Sequence, residues 1–216
     1  MKARKLGIFG AAMTAIAATA LTVSTATGGP EHAEHAQHAA IGEKAPDFTL
    51  QDASGKTHKL SDYTAAGKTV VLEWFNPKCP FVVRHHETKT TFNDLYEKYN
   101  TKDVVFLAVN SSNRDSGVYG FDAEYAKKWG IEYPILIDES GEIGKMYGAK
   151  TTPHMYVIDA SGDLRYMGAI DNDQRGNMSG DEYVNYVGQA LDQILANESV
   201  SVSETKSYGC SVKYRK

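Results

Sequence analysis

Cysteine is scarce in this chain: 216 residues contain only two, Cys79 and Cys210. Two thiols allow one redox couple and no more. Basic residues are also in short supply, with 23 Lys and Arg against 27 Asp and Glu and a formal net charge of −4. That balance argues against nucleic acid as a partner. Long apolar runs are missing except at one place, Leu6 to Val23, so no later segment is expected to cross a membrane.

What the chain does have begins with that run. It follows Met1-Lys2-Ala3-Arg4-Lys5 and precedes Ser24 and Ala26, small residues of the kind a signal peptidase accepts. Residues 1–26 therefore read as a secretory signal, or, left uncleaved, as a membrane anchor and the sole membrane contact expected. Its removal leaves 20 basic against 27 acidic residues, net −7. The expected location is periplasmic or extracellular, where disulfides persist. Residues 27–40 carry His32, His35 and His38 at a spacing of three, compatible with weak metal capture. With no carboxylate or thiol at fixed spacing to complete a coordination set, a solvated linker is the simpler reading.

The globular part starts near Ile41, and its order of elements can be read from periodicity. Asp47–Asp52 and Thr57–Leu60 flank a Gly-bearing turn and predict a hairpin capping one end of a sheet. Val70–Phe75 is a bulky apolar run broken by Glu73, suited to a strand buried on both faces. Phe92, Leu95, Tyr96 and Tyr99 predict a helix; Val104–Val109 a strand; Phe121, Tyr125 and Trp129 a second helix ending at Gly130; Pro134–Ile137 a third strand. This alternation predicts a parallel core. A hairpin, Met155–Asp159 and Leu164–Gly168, and a closing helix marked by Val184, Val187, Leu191, Ile194 and Leu195 complete the domain. Residues 198–216 lack apolar periodicity and predict a flexible tail that carries Cys210.

Cys79 lies where the first core strand hands over to a helix, in Trp74-Phe75-Asn76-Pro77-Lys78-Cys79-Pro80-Phe81-Val82. Unpaired N–H groups at a helix start favour a thiolate, the nucleophilic form, and Pro80 suits the first helical position. The competing reading of Cys79 is a small buried apolar residue. His85 and His86 read as solvated, and His154 as the histidine able to reach the sulfur. Lys78 either lowers the thiol pKa or points into water.

A strand ending in a cysteine at a helix start, two further parallel strands, Thr152-Pro153 before a hairpin, and a final helix resemble the thioredoxin fold. The Gly42-Glu43-Lys44-Ala45-Pro46-Asp47-Phe48 segment and Cys79-Pro80 resemble its redoxin branch, related to the alkyl hydroperoxide reductase and thiol-specific antioxidant family, over residues 41–197. The resemblance implies an α/β architecture: a mixed central sheet flanked by helices, with an N-terminal β-hairpin extension. It implies that Glu73 is a buried acid exchanging protons with the thiols, that Pro153 is a cis proline facing the sulfur, and that Thr152 and Pro153 offer a backbone edge to substrate. Trp74 and Pro80 would adjoin the same site. No cofactor is implied.

Two departures qualify this. Val82 stands where thioredoxins carry their second cysteine, so an adjacent-pair disulfide cannot form. Asn76 and Pro153 stand where peroxiredoxins carry a Thr or Ser and an Arg, which argues against fast peroxide reduction. Cys210 is the remaining candidate for resolving thiol, within or between chains, and a static Cys79–Cys210 disulfide is the alternative.

The leading expectation is an exported thiol-dependent oxidoreductase. Cys79 attacks a peroxide or disulfide, Cys210 resolves, Glu73 moves protons, and an external thiol reductant restores the dithiol. Two other readings stay open: a copper- or zinc-handling protein using Cys79, His154 and the histidine tract, and a non-catalytic module binding extended polypeptides along Thr152-Pro153.

Overall fold

The computed structural model describes residues 38–215. The expected signal, His32 and His35 lie outside them. Among the described residues no helix is long and apolar enough to cross a membrane.

The strand that carries Glu73 is the centre of the molecule. β3 (Thr69–Trp74) is buried at all six positions, as a Val/Leu/Trp-rich run requires when both faces are covered. It runs parallel to β4 (Val104–Asn110) and antiparallel to β7 (Met155–Ile158). Beyond β4 lies β5 (Ile135–Ile137), again parallel; beyond β7 lies β8 (Leu164–Gly168), antiparallel. The predicted N-terminal hairpin, β1 (Thr49–Asp52) and β2 (Thr57–Lys59), pairs with β5 through Gln51 and Ile137 and caps that edge. The seven strands run β2-β1-β5-β4-β3-β7-β8. This is the mixed sheet of a thioredoxin-like fold.

Period-2 alternation along β3 divides the core in two. Val71 and Phe75 join Cys79, Phe92, Leu95 and Leu191 on one face, while Val70, Leu72 and Trp74 join Leu136, Tyr147 and Tyr156 on the other. The first face is covered by α2 (Pro80–Val83), which runs on through a wide π turn at Arg84–Thr88, by α3 (Thr91–Tyr99), α4 (Asp122–Trp129), and α6 (Tyr186–Leu195). Their boundaries follow local chemistry. Gly130 ends α4 at φ +63°, and the Asn185 side chain caps α6 by accepting from the Gly188 N–H. Helices α1 (Leu60–Ala65) and α5 (Glu142–Met146) are short and fall on neither long periodic segment.

The C-terminal segment departs from the expected flexible tail. It is threaded along the domain by main-chain hydrogen bonds: Met167 N–H donates to Ser203 O at 3.0 Å, and Thr205 N–H to Met167 O at 3.1 Å. Then β9 (Cys210–Ser211) pairs antiparallel with β6 (Thr151–Thr152), matching Cys210 to Thr152. Val212 N–H donates to Lys150 O at 3.2 Å and Asn113 N–H to Lys213 O at 2.9 Å. Periodicity could not reveal this, because the tail is held by backbone pairing and isolated anchors, not by a repeating apolar face. Gly168 permits one close approach: at φ +147°, a Cβ there would stand 2.2 Å from Thr205 Oγ1.

Candidate active site

The strand-to-helix junction is built by a short polar turn. Asn76 O accepts from the Cys79 N–H at 3.0 Å, and Asn76 Oδ1 from the Lys78 N–H at 2.9 Å. Cys79 is then the first non-helical residue before α2, with the exposed Pro80 at the first helical position, as read from sequence. The Cys79 side chain is 1% exposed, and its sulfur donates to Thr152 O at 2.9 Å. The Thr152–Pro153 bond is cis, in agreement with the resemblance.

Pairing of β9 with β6 brings the second thiol to this point. Cys210, opposite Thr152, packs against the apolar cluster that contains Cys79; both thiols are free. Burial pushes the Cys210 thiol up to about 11, helped by the hydrogen bond and charge of the adjacent Cys79. The site is therefore a dithiol assembled from residues 131 positions apart in sequence.

Behind it, Glu73 is 2% exposed and among the described residues has no Lys or Arg partner. Its Oε2 accepts from Tyr133 Oη at 3.0 Å, while its Oε1 lacks a hydrogen-bond partner among the described residues and lies 3.5 Å from His86 Nε2. Burial, then the charge of Glu73, raises the Tyr133 phenol well above its ordinary value, so Tyr133 stays a donor. The His86 ring is stacked between Trp129 at 4.8 Å and Phe92 at 4.7 Å.

Several sequence expectations change here. His85 and His86 are not solvated: they are 0% and 3% exposed, because the wide π turn after α2 carries both consecutive rings inward. His154 does not turn toward the sulfur. Strand alternation sends its ring to the opposite face, where Nδ1 meets Tyr156 Oη at 3.1 Å and burial lowers its pKa to about 4. Trp74 also belongs to that opposite face, fully buried, its Nε1 donating to Ser111 Oγ at 3.0 Å; it does not border Cys79. Lys78 is exposed, as one of its two readings had it, with its ammonium 4.1 Å from the Phe121 ring centre and 3.0 Å from Tyr125 Oη. Among the described residues no group of three His, Cys, Asp or Glu is arranged to hold a metal.

Sequence reading missed the anchor that holds the tail. Tyr208, two residues before Cys210, is 7% exposed and enters a pocket beside α2. Its ring packs 5.8 Å from Phe81, and its hydroxyl donates to Asp171 Oδ1 and contacts His85 Nε2 at 3.0 Å. Tyr208 has one proton and gives it to Asp171, so His85 Nε2 must be the donor in their contact. Burial holds His85 neutral, with its pKa lowered to about 4, so Nδ1 accepts from Thr91 Oγ1 at 3.0 Å. An aromatic two residues from the tail cysteine was the available signal.

The Redoxin family profile matches residues 40–184. The chain belongs to the Redoxin family. It is 32% identical over 126 residues to "Thiol-disulfide oxidoreductase ResA" of Geobacillus thermodenitrificans, covering 58% of this chain and 67% of that one. Among solved structures, a hypothetical protein of Sinorhizobium meliloti superposes with a TM-score of 0.70 at 26% identity, over 82% of this chain and 95% of that one. A Chlorobium tepidum protein provisionally named thiol:disulfide interchange protein DsbE does so with a TM-score of 0.54 at 26% identity, over 73% and 97%. The matched family segment ends at residue 184 and so leaves out the cysteine-bearing tail.

Proposed function

We propose that this thiol-dependent redoxin reduces disulfides with Cys79 as nucleophile and Cys210 as resolving thiol. The observation that carries the reading is the register of β9 on β6, which sets Cys210 opposite Thr152, the residue whose carbonyl holds the Cys79 sulfur. The order of attack follows from protonation. A thiolate is the attacking species, and Cys210, pushed up to about 11 by burial first, remains a thiol at neutral pH, which makes it the poorer first attacker and suits it to the resolving role.

In the first step Cys79 gives up its thiol proton and bonds to one sulfur of the substrate, the substrate S–S bond breaks, and the leaving thiolate takes up that proton. With Cys79 in a mixed disulfide, its charge no longer opposes ionisation of Cys210. Cys210 then attacks the Cys79 sulfur, forming the Cys79–Cys210 disulfide and expelling the second substrate thiol. The substrate gains two electrons and the enzyme loses two; an external thiol reductant returns them. Glu73, buried and with one oxygen unsatisfied, exchanges the proton that Cys210 gives up. The charge-free run 6–23 supports export to a compartment where both states of the couple persist.

The names of the relatives favour a disulfide over a peroxide, as do Asn76 and Pro153 at positions where peroxide-reducing relatives carry a hydroxyl and an arginine. The test is a pair of variants assayed against a small disulfide. Cys79→Ser is expected to abolish turnover and Cys210→Ser to accumulate a mixed disulfide at Cys79, detected by intact mass. Wild-type rates in both variants would overturn the mechanism.

A further inference from the structure

The backbone edge beside Cys79 is already taken by the protein's own tail, and the details of the fit describe what else could sit there. Four features define the seat. Main-chain groups of Thr151 and Thr152 pair with an antiparallel strand. The Cys79 sulfur meets the side chain opposite Thr152. One residue earlier the incoming chain passes so close that a Cβ at Gly209 would stand 2.1 Å from Thr152 O, and Gly209 has φ +138°. Two residues earlier lies the pocket for Tyr208, a built site in which Asp171 and His85 are 1% and 0% exposed and both bind the phenol. Arg84 borders it, 5.9 Å from the Tyr208 ring centre.

The edge itself is the one the family resemblance implies for substrate; beyond it, we propose that this seat selects an extended segment with the pattern Tyr-Gly-Cys, of which residues 208–210 are an internal copy. The inference rests on the disulfide-reducing role of Cys79 and adds the substrate class: a cysteine in an extended chain, preceded by glycine and then tyrosine. Substrate and tail exclude each other, because both need the same edge, the same pocket and the same approach to the Cys79 sulfur. Each turnover uses the seat twice. The tail leaves, the substrate strand enters and forms its mixed disulfide with Cys79, and the tail then returns with Cys210 to expel it. Tyrosine is preferred to phenylalanine, since without the hydroxyl Asp171 Oδ1 and His85 Nε2 each lose a partner.

The test uses the full chain, reduced, with three hexapeptides whose cysteine is activated as a disulfide with 5-thio-2-nitrobenzoate: Ser-Tyr-Gly-Cys-Ser-Val, the same peptide with alanine for glycine, and the same with alanine for tyrosine. Cys79 attacks the peptide sulfur and releases the coloured thiolate, which reports the rate. The first peptide is expected to react at least about tenfold faster than either variant. In Gly209→Ala, which pushes the tail off the edge, the first peptide is expected to react about tenfold faster than with wild type. Equal rates for the three peptides, with Cys79 still reactive, would overturn the seat; an unchanged rate in Gly209→Ala would overturn competition by the tail. Failure of Cys79 to react with any peptide or with the free reagent would instead overturn the disulfide-reducing role itself.

Discussion

Removing one oxygen atom, in Tyr208→Phe, is expected to loosen the tail and little else. The ring keeps its packing against Phe81, but the hydroxyl that donates to Asp171 and receives from His85 Nε2 is lost. Asp171 retains Tyr183 Oη at 3.0 Å and the Asp173 N–H at 2.9 Å, so it does not become isolated. A hydrogen bond to a buried carboxyl oxygen contributes about 1.5–3 kcal/mol, and an unpaired His85 nitrogen adds about 1 kcal/mol. Together these come to about 3 kcal/mol, or a factor of about a hundred in an opening equilibrium. Because the tail can relieve the penalty by detaching, the cost falls on local opening before it falls on global unfolding. Amide hydrogen exchange reads this directly. The Thr205 and Val212 amides, bonded to Met167 O and Lys150 O, are expected to exchange up to about a hundredfold faster, while amides of β3 change little. Tail exchange within twofold of wild type, or equal acceleration in β3, would refute the idea of a separately detaching strap.

Other expectations follow from the same geometry. Alkylation of Cys210 in the reduced protein should rise with pH toward about 11, and Cys79→Ser should shift that profile downward by removing the adjacent sulfur. Because the folded thiol pKa is raised from 9.0, this group's stabilisation is complete below pH 9 and lost as pH climbs toward 11; urea melts across that range check the sign. Acid acts on the other side of the pocket. His85, neutral in the fold with its pKa lowered from 6.5 to about 4, contributes stability that is present above pH 6.5 and lost as pH falls through 4, so exchange of the tail amides should accelerate over that window. Glu73→Gln keeps the Tyr133 contact but cannot take a proton, and should slow resolution by about a hundredfold and flatten its pH dependence; an unaltered profile would remove Glu73 from proton transfer.

Much of the fold was legible because its elements are periodic. The apolar run Val70–Phe75, the helix face Phe92–Tyr99 and the hairpins flanked by Gly55 and Gly162 each announce themselves within a few residues. Cys79, Pro80 and Thr152-Pro153 were found because a junction and an X-Pro bond are local features. What sequence did not disclose is which side of the sheet a residue faces when alternation passes through a loop. Trp74 and His154, one strand position from the site, both point away from it. The buried histidines were missed because a π turn carries both rings inward where a regular helix was expected to leave them in water. The tail was misjudged for a different reason: Gly209 meets the Thr152 carbonyl and Gly168 meets Thr205 through close backbone approaches that no hydrophobic pattern encodes.

The most direct measurement is non-reducing peptide mapping of the reduced full chain after one equivalent of a small disulfide. The account predicts a disulfide joining the Cys79 and Cys210 peptides of the same chain, preceded at early times by a mixed disulfide on Cys79 alone. A stable adduct on Cys79 with Cys210 left free, or a first adduct on Cys210, would contradict it.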